Sequence, residues 1–518
     1  MNALLVFPQM PSTMWNMDFL ARIRRKKAIY PPLGLLTVAA LLPSDWNLIL
    51  IDLNIRKLKN SDLADSDLVF ISAMNVQAVS ARKLIDRCRR FPLKIIAGGP
   101  LFTHEYHRFS GVDHFVLNEA EITLPIFLQD LESGNPQPIY RTEEFADLHY
   151  SPVPRWDLIR KNDYLYGIVQ YSRGCPHKCD FCDVTALYGH RQRTKTAEQI
   201  GREIEAMGDL SDFDMLLFAD DNLIGNKKIL KTELLPALIK WRAEKKPPVS
   251  FATQVSINLV DDADMMQLML EAGFRHIFVG IETTSPDSLA ECGKTQNLKR
   301  DLLQNVHQLH AAGFIISGGF ILGFDSDQPS IFQEQIDFIQ QSGIVIATVN
   351  LLKAPFGTTL YERMKNEDRL LETLDFDENK MNVIPKMNIE ELYENYRYVL
   401  NRIYTPDFIF RRSQIFLNTF QNSKVKTSIK GKVHLRDFST LFHVVFSIGI
   451  LHPSRFYFWK LLFWTWKKQP SHLRLAFLFA VLMHHYQRLY SKFCQFMRST
   501  EYREFVREAK QKQEIINI

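Results

Sequence analysis

From the first residue to about residue 130, short runs that are apolar at nearly every position alternate with segments whose apolar residues recur every three or four positions. The runs Ala3–Phe7, Asn47–Asp52, Asp67–Ala73, Leu93–Gly98 and His114–Leu117 predict strands, because a strand covered on both faces has no position left for solvent. Between them Leu33–Leu42, opened by Pro31-Pro32, and Ala78–Arg90 predict helices. This rhythm describes a five-stranded, doubly wound α/β domain over residues 1–132, with any ligand beyond the carboxyl ends of its strands.

Residues 133–164 lose the periodicity and carry Ser133-Gly-Asn-Pro-Gln-Pro138 and Ser151-Pro-Val-Pro154, the composition of a linker. A second series follows, with strands predicted near Gly167–Ser172, Asp214–Ala219, Val249–Thr253, His276–Glu282, Ile315–Leu322 and Ile344–Leu352. Helices are predicted at Ala197–Met207, Lys228–Glu244, Ala263–Ala272, Leu298–Ala312 and Ser330–Ser342. Six such units fall short of the eight in a closed barrel, so residues 165–370 read as an open, partial (βα)6 barrel with its site at the carboxyl ends of the strands. Over residues 371–518 the alternation stops and the pattern becomes helical, aromatic and basic, a third domain.

At 518 residues, 46% hydrophobic and 23% charged, the chain can bury several cores, which excludes a disordered scaffold. Six cysteines in this length do not make a disulfide framework, and three crowd into eight residues, which points to a reducing compartment and a metal site. The start, Met1-Asn-Ala-Leu-Leu-Val-Phe-Pro8, lacks a basic leader and reads as a first strand, and the cytoplasm is the expected location. The apolar stretches Leu441–Leu451 and Leu475–Met483 are too short to span a membrane. Net charge is +5, but from Asn401 onward 20 Lys and Arg stand against 6 Asp and Glu, which leaves residues 1–400 at −9. A basic tail implies an anionic partner, either a membrane surface or nucleic acid.

The chemistry concentrates in Arg173-Gly-Cys-Pro-His-Lys-Cys-Asp-Phe-Cys182, where Cys175, Cys179 and Cys182 form C-x3-C-x2-C directly after a strand. Three thiolates can hold three irons of a [4Fe-4S] cluster and leave the fourth without a protein ligand. A structural zinc site completed by His177 or His190 is the alternative, although the second distant ligand pair usual in such sites is missing. Cys88, Cys292 and Cys494 stand alone and read as small buried residues.

With an aromatic before the third cysteine and a six-unit βα series behind it, this loop resembles the radical S-adenosylmethionine (SAM) superfamily. The resemblance implies that SAM chelates the open iron and is cleaved by one electron to a 5′-deoxyadenosyl radical. It also implies SAM contacts from Phe181, from Asp220 and Asp221 after the second strand, from Glu282 ending the fourth, and from Gly318 and Gly319 in the fifth. Helix capping for the two aspartates and tight strand ends for the glycines are the structural alternatives. Ala354-Pro-Phe-Gly-Thr-Thr-Leu-Tyr361 resembles the closing segment of the same barrel.

The first domain is similar to the cobalamin-binding domain of cobalamin-dependent radical SAM enzymes, through Tyr30-Pro-Pro-Leu-Gly-Leu-Leu36 and Ala97-Gly-Gly-Pro100. This implies cobalamin contacts from Pro32, Gly34, Asn54, Ser72, Gly98, Gly99 and Glu119. Two departures stand out. Pro8–Met14 and Asp52-Leu-Asn-Ile-Arg56 occupy the place of the D-x-H-x-x-G loop that supplies a lower axial histidine, so cobalamin is expected base-off, and Asn118-Glu119 replaces Gly-Glu. A Rossmann-like nucleotide site competes poorly, because no G-x-G-x-x-G follows Phe7.

In the tail, Phe456–Trp466 packs seven aromatics into eleven residues ahead of Lys467-Lys468. Such a helix can lie in a membrane headgroup layer, stack single-stranded bases, or pack as core; the dense Phe, Trp and Leu favour lipid over bases. Phe458-Trp-Lys460, Met483-His-His-Tyr486, Tyr188-Gly189 and Ala219-Asp-Asp-Asn-Leu-Ile-Gly-Asn226 resemble the hopanoid C-2 methylase branch. The expectation is a methyltransferase in which one SAM methylates cobalamin and a second yields the radical that abstracts hydrogen from an unactivated carbon of a hopanoid-type lipid. An external electron donor and a peripheral position on the inner face of the membrane go with it, and no catalytic base is named. The rivals are a radical SAM oxidoreductase or cyclase that uses cobalamin without methyl transfer, and a nucleic-acid-binding protein with a structural metal, against which the −9 balance of residues 1–400 argues.

Overall fold

In a computed structural model, residues 1–11, 13, 18–371, 379–421, 441–442 and 444–516 are described. Ser12 and Met14 of the loop expected after the first strand, one position of the 441–451 stretch, and residues 372–378, 422–440 and 517–518 of the expected third domain lie outside them. The first sheet contains β1 (Asn2–Phe7), β2 (Asn47–Asp52), β3 (Leu68–Ser72), β4 (Lys94–Gly98), β5 (His114–Val116) and β6 (Ile139–Tyr140), ordered 2-1-3-4-5-6. All its pairings are parallel. Alternate residues of β1 serve two different cores: Leu4 and Val6 pack under helix 78–88, and Ala3 and Leu5 under helices 33–41 and 120–132. That two-sided burial is why the strands read as unbroken apolar runs.

The sequence predicts five strands; the sixth, β6, lies in the stretch whose composition reads as linker. Its two residues sit behind Pro136 and Pro138, and so short an edge strand leaves no periodic signal. Tyr140 fixes it by donating to Asp130 at 2.9 Å.

The second sheet is also parallel, with β7 (Tyr166–Val169), β10 (Met215–Phe218), β11 (Ser250–Gln254), β12 (Phe274–Glu282), β13 (Ile315–Leu322) and β14 (Ile346–Leu351) in the order 14-13-12-11-10-7. The first strand predicted here, Gly167–Ser172, is divided: the chain leaves the sheet after Val169, and β8 (Ser172–Arg173) pairs antiparallel with β9 (Arg193–Thr194) around the cysteine loop. The helix predicted over Lys228–Glu244 contains a wide turn at Leu230–Leu234 just before Pro236. Proline lacks the N–H and crowds the carbonyl four residues back, so the preceding turn loosens.

Both edges of this open barrel are covered. Along β14 the outward carbonyls alternate, and Tyr396 donates to Val349 at 2.8 Å, Tyr404 to Ala347 at 3.0 Å, and Arg412 to Val345 at 3.2 Å. These side chains come from helices 389–404 and 406–419, so the third domain satisfies the edge that a further strand would otherwise pair. At the other edge, Leu165 and Tyr166 donate backbone hydrogen bonds of 2.9 Å to Ala28 and Ile29 of the first domain. Helices 455–468, 473–498 and 500–516 complete the chain, and among the described residues no helix is long and apolar enough to cross a membrane.

Candidate functional site

The three cysteines sit on the loop between β8 and helix 184–188, at the carboxyl end of the second sheet. Gly174 starts the loop with φ +92°, and a Cβ there would lie 2.6 Å from the Arg191 carbonyl, so only glycine fits. The far side of the loop is tied to two other segments: Asp180 donates its N–H to Cys292 at 3.1 Å and accepts from Leu360 at 2.9 Å. All three cysteine residues are half-buried. Burial raises the Cys175 and Cys179 thiols and pushes Cys182 up to about 12, so ionisation requires a metal or a cation.

The cation beside them is Lys294, which sequence reasoning missed. It pairs with Glu282 at 2.6 Å, both side chains about nine-tenths buried, and its charge favours the thiolates of Cys179 and Cys182. Gln296 completes this wall, with Nε2 3.9 Å from the Cys179 sulfur. Neither residue belongs to a strand-end motif; both follow β12 by more than ten residues and carry no sequence signal. His177 and His190 do not join the thiols around one ion: among the described residues no three His, Cys, Asp or Glu side chains are arranged to hold a single metal. Three thiols on one loop, each free to meet a different iron, fit a [4Fe-4S] cluster.

The residues expected at SAM are placed unequally. Phe181 packs on Phe324, ring centres 6.2 Å apart. Asp220 is fully buried, with its carboxylate under the entry to the cysteine loop, where it accepts from the N–H groups of Tyr171 and Ser172 and from the Ser172 hydroxyl. Asp221 has one carboxylate oxygen without a partner among the described residues, and burial pushes it up to about 7, with Asp220 and Asp183 adding to the rise. Glu282 is held at φ +66°, aimed at Lys294. Gly318 and Gly319 lie inside β13, where a Cβ on Gly319 would stand 2.7 Å from the Phe278 ring; the glycine here makes room for packing.

Between the two sheets is a cavity of about 660 Å3. Its walls include Phe7, Phe70, Ser72 and Gly98 from the first sheet, and Ile168, Ala219 and Gln254 from the carboxyl ends of β7, β10 and β11. Leu187 and Tyr188, just past the cysteine loop, close one side. All seven residues expected at cobalamin line this cavity, and among the described residues no histidine does. At Gly34 a Cβ would meet nothing within 4 Å, so the wall is hollow there, whereas one on Gly98 would strike the Val116 carbonyl at 2.5 Å. The hollow, largely apolar wall fits a corrin.

Two of the seven line the cavity with side chains already engaged. Asn54 accepts from the Met10 N–H at 2.8 Å and donates to Asp52 at 2.7 Å, bracing the loops after β1 and β2. Glu119 accepts from Arg173 at 2.9 Å, Arg193 at 2.8 Å and the Ala146 N–H at 2.6 Å. Both carboxamide and carboxylate act on the frame of the cavity, a role that contact patterns along the chain do not reveal.

Comparison with known proteins agrees with this architecture. Residues 169–339 match the radical SAM superfamily, residues 21–128 a B12 binding domain, and residues 358–499 a domain of unknown function. An uncharacterized methyltransferase of Synechocystis sp. is 35% identical over 91% of this chain and 88% of its own length. The hopanoid C-2 methylase of Rhodopseudomonas palustris is 31% identical, over 84% of this chain and 83% of its own. Among solved structures, the cobalamin-dependent SAM radical enzyme OxsB, with aqua-cobalamin and SAM bound, superposes with a TM-score of 0.59 at 14% identity, over 99% of this chain and 83% of that one. The radical SAM methyltransferase TsrM of Kitasatospora setae, with cobalamin and a [4Fe-4S] cluster bound, gives 0.57 at 16% identity, over 71% and 75%.

Proposed function

Since the chain belongs to the cobalamin-dependent radical SAM methyltransferases, the family that includes hopanoid C-2 methylase, we propose that it methylates an unactivated carbon of a hopanoid-type polycyclic lipid. A [4Fe-4S] cluster, SAM and cobalamin are its cofactors. When bound, they supply reductive cleavage of SAM for hydrogen abstraction and a methyl group for transfer from cobalamin.

The protein's own residues do the rest. Cys175, Cys179 and Cys182 hold the cluster, and Lys294 offsets the charge of their thiolates. Glu282, oriented by Lys294, offers its second oxygen to the SAM amine or ribose; Phe181, Asp221 and the backbone at Gly318 and Gly319 complete that wall. Pro32, Gly34, Ser72, Gly98 and Gly99 receive cobalamin, with Asn54 and Glu119 bracing its frame. Apolar walls at Phe7, Phe70 and Ile71 keep water from the reacting groups.

The observation that carries the methyl-transfer reading is the cavity itself, which opens the strand ends of the first sheet onto those of the second beside the cysteine loop. The lipid reading is supported by the R. palustris relative and by the basic, aromatic tail. In this reading the enzyme works peripherally at the inner face of the membrane, draws its electron from an external donor and has no nucleic-acid partner. Lipid profiling by mass after deletion of the gene tests the substrate: loss of a methylated hopanoid is expected, and an unchanged lipid profile returns the question to soluble substrates.

A further inference from the structure

The aromatic helix of the third domain has two apolar faces, and only one is used. Phe458, Leu461 and Thr465 are buried against the domain, while Phe456, Trp459, Phe463 and Trp466 stand 66%, 47%, 62% and 61% exposed. Their spacing of three, four and three residues puts them on one stripe. The preceding segment 444–451 adds Phe446, Ile450 and Leu451, each about half exposed or more. Trp459 donates to the Gly449 carbonyl at 2.8 Å, which locks the two segments into one surface. Core packing explains the first face and leaves the second in contact with water, a cost that soluble surfaces of this size seldom carry.

Charge identifies the occupant. Residues 438–500 hold eight Lys and Arg and not one Asp or Glu. Arg455, Lys467, Lys468 and Arg474 beside the stripe are exposed, and none has an acidic partner among the described residues. A second copy would set these cations against their equals. Base stacking would want aromatics separated by polar groups, whereas this stripe is continuous with Ile450 and Leu451.

We propose that this face docks the enzyme on an anionic lipid bilayer, with Phe456, Phe463, Trp466 and Leu451 entering the interface and Arg455, Lys467, Lys468 and Arg474 in the phosphate layer. The surface would deliver the enzyme to a membrane-resident substrate, and in that respect it rests on the lipid reading above. Attachment is interfacial, since no described helix can span.

The test is flotation of the full-length holoenzyme with vesicles of phosphatidylglycerol and phosphatidylethanolamine, against vesicles of phosphatidylcholine alone. The comparison variant is Phe456→Ser/Phe463→Ser/Trp466→Ser, whose substitutions are all at exposed positions and should leave the unfolding midpoint in place. Wild type should float with the anionic vesicles at low salt, lose most of that binding in high salt, and fall at least fivefold in the triple variant; Lys467→Gln/Lys468→Gln should weaken binding and steepen nothing on neutral vesicles. Equal flotation of wild type and triple variant, or no flotation of either, overturns the proposal. So does a wild-type dimer that the triple variant converts to monomer, which would make the face an interface between copies. Methyl transfer to a hopanoid in detergent micelles separates the two readings: wild type that binds vesicles but methylates no lipid leaves the docking face standing without its substrate, and micellar activity without vesicle binding leaves the substrate without the docking face.

Discussion

Glu119 of the first domain and Arg173, two residues before Cys175, meet at 2.9 Å with side chains 2% and 12% exposed, so the cavity wall and the cysteine loop share one buried ion pair. Arg193 and Glu121 extend it, at 2.8 Å each. The loop therefore inherits its position from both sheets.

Glu119→Ala strips a buried carboxylate from two largely buried arginines, of which Arg173 keeps Glu121 and Arg193 keeps the Ala146 carbonyl. Breaking a buried pair on one side costs about 3 kcal/mol. A clearly lower thermal unfolding midpoint is expected, with Glu119→Gln intermediate because it keeps an acceptor. An unchanged midpoint for the alanine variant would make the pair incidental.

Replacing any of Cys175, Cys179 or Cys182 by Ala should abolish iron binding and SAM cleavage, since the proposed cluster needs all three thiolates. Cys494→Ala, remote from the loop in sequence and helical, should retain both. Iron analysis and 5′-deoxyadenosine formation under anaerobic reduction are the measurements, and a full cluster in a single cysteine variant would refute the ligand set.

Gly34→Leu places a side chain where the cavity wall is hollow, while Gly98→Ala meets the Val116 carbonyl at 2.5 Å. The first should cut hydroxocobalamin affinity roughly tenfold or more, about 1.4 kcal/mol, with the unfolding midpoint kept. The second should lower the midpoint itself. Co-elution on gel filtration and thermal melts read the two effects separately, and full cobalamin binding by Gly34→Leu would show that the corrin lies elsewhere.

Glu282→Gln should weaken SAM binding and spare the iron content, because a carboxylate aligned by Lys294 offers a charge-assisted acceptor that an amide does not. Equilibrium binding of SAM to the reconstituted protein decides it. Unchanged affinity assigns Glu282 to the ion pair alone.

Asp327 accepts from Ser288 and from the N–H groups of Gly323 and Phe324, and burial nonetheless pushes its carboxyl up to about 6. A raised value means the folded state holds a proton that the unfolded chain releases. Its contribution is complete below the ordinary carboxylate range and is lost as pH climbs to about 6. A shift of this size corresponds to about 2–3 kcal/mol. Asp327→Asn should flatten the fall of the unfolding midpoint between about pH 4 and 6, and an identical slope in both proteins would remove Asp327 as its source.

The sequence by itself determined the order of the parts: apolar runs told which strands are buried on both faces, and the cysteine spacing singled out the loop proposed here to carry the metal chemistry. Both signals are local, one set by strands covered on both faces and the other by three cysteines within eight residues. Tertiary structure decided what depends on distant segments meeting. Lys294 reaches the cysteines only because its loop packs on Asp180, and β6 exists only because β5 offers it an edge. The same holds for the tail, where composition counted seven aromatics but only packing divided Phe458 from Phe456 and Trp466, since a helix shows each residue to one neighbour or to water, and the neighbour lies elsewhere in the chain.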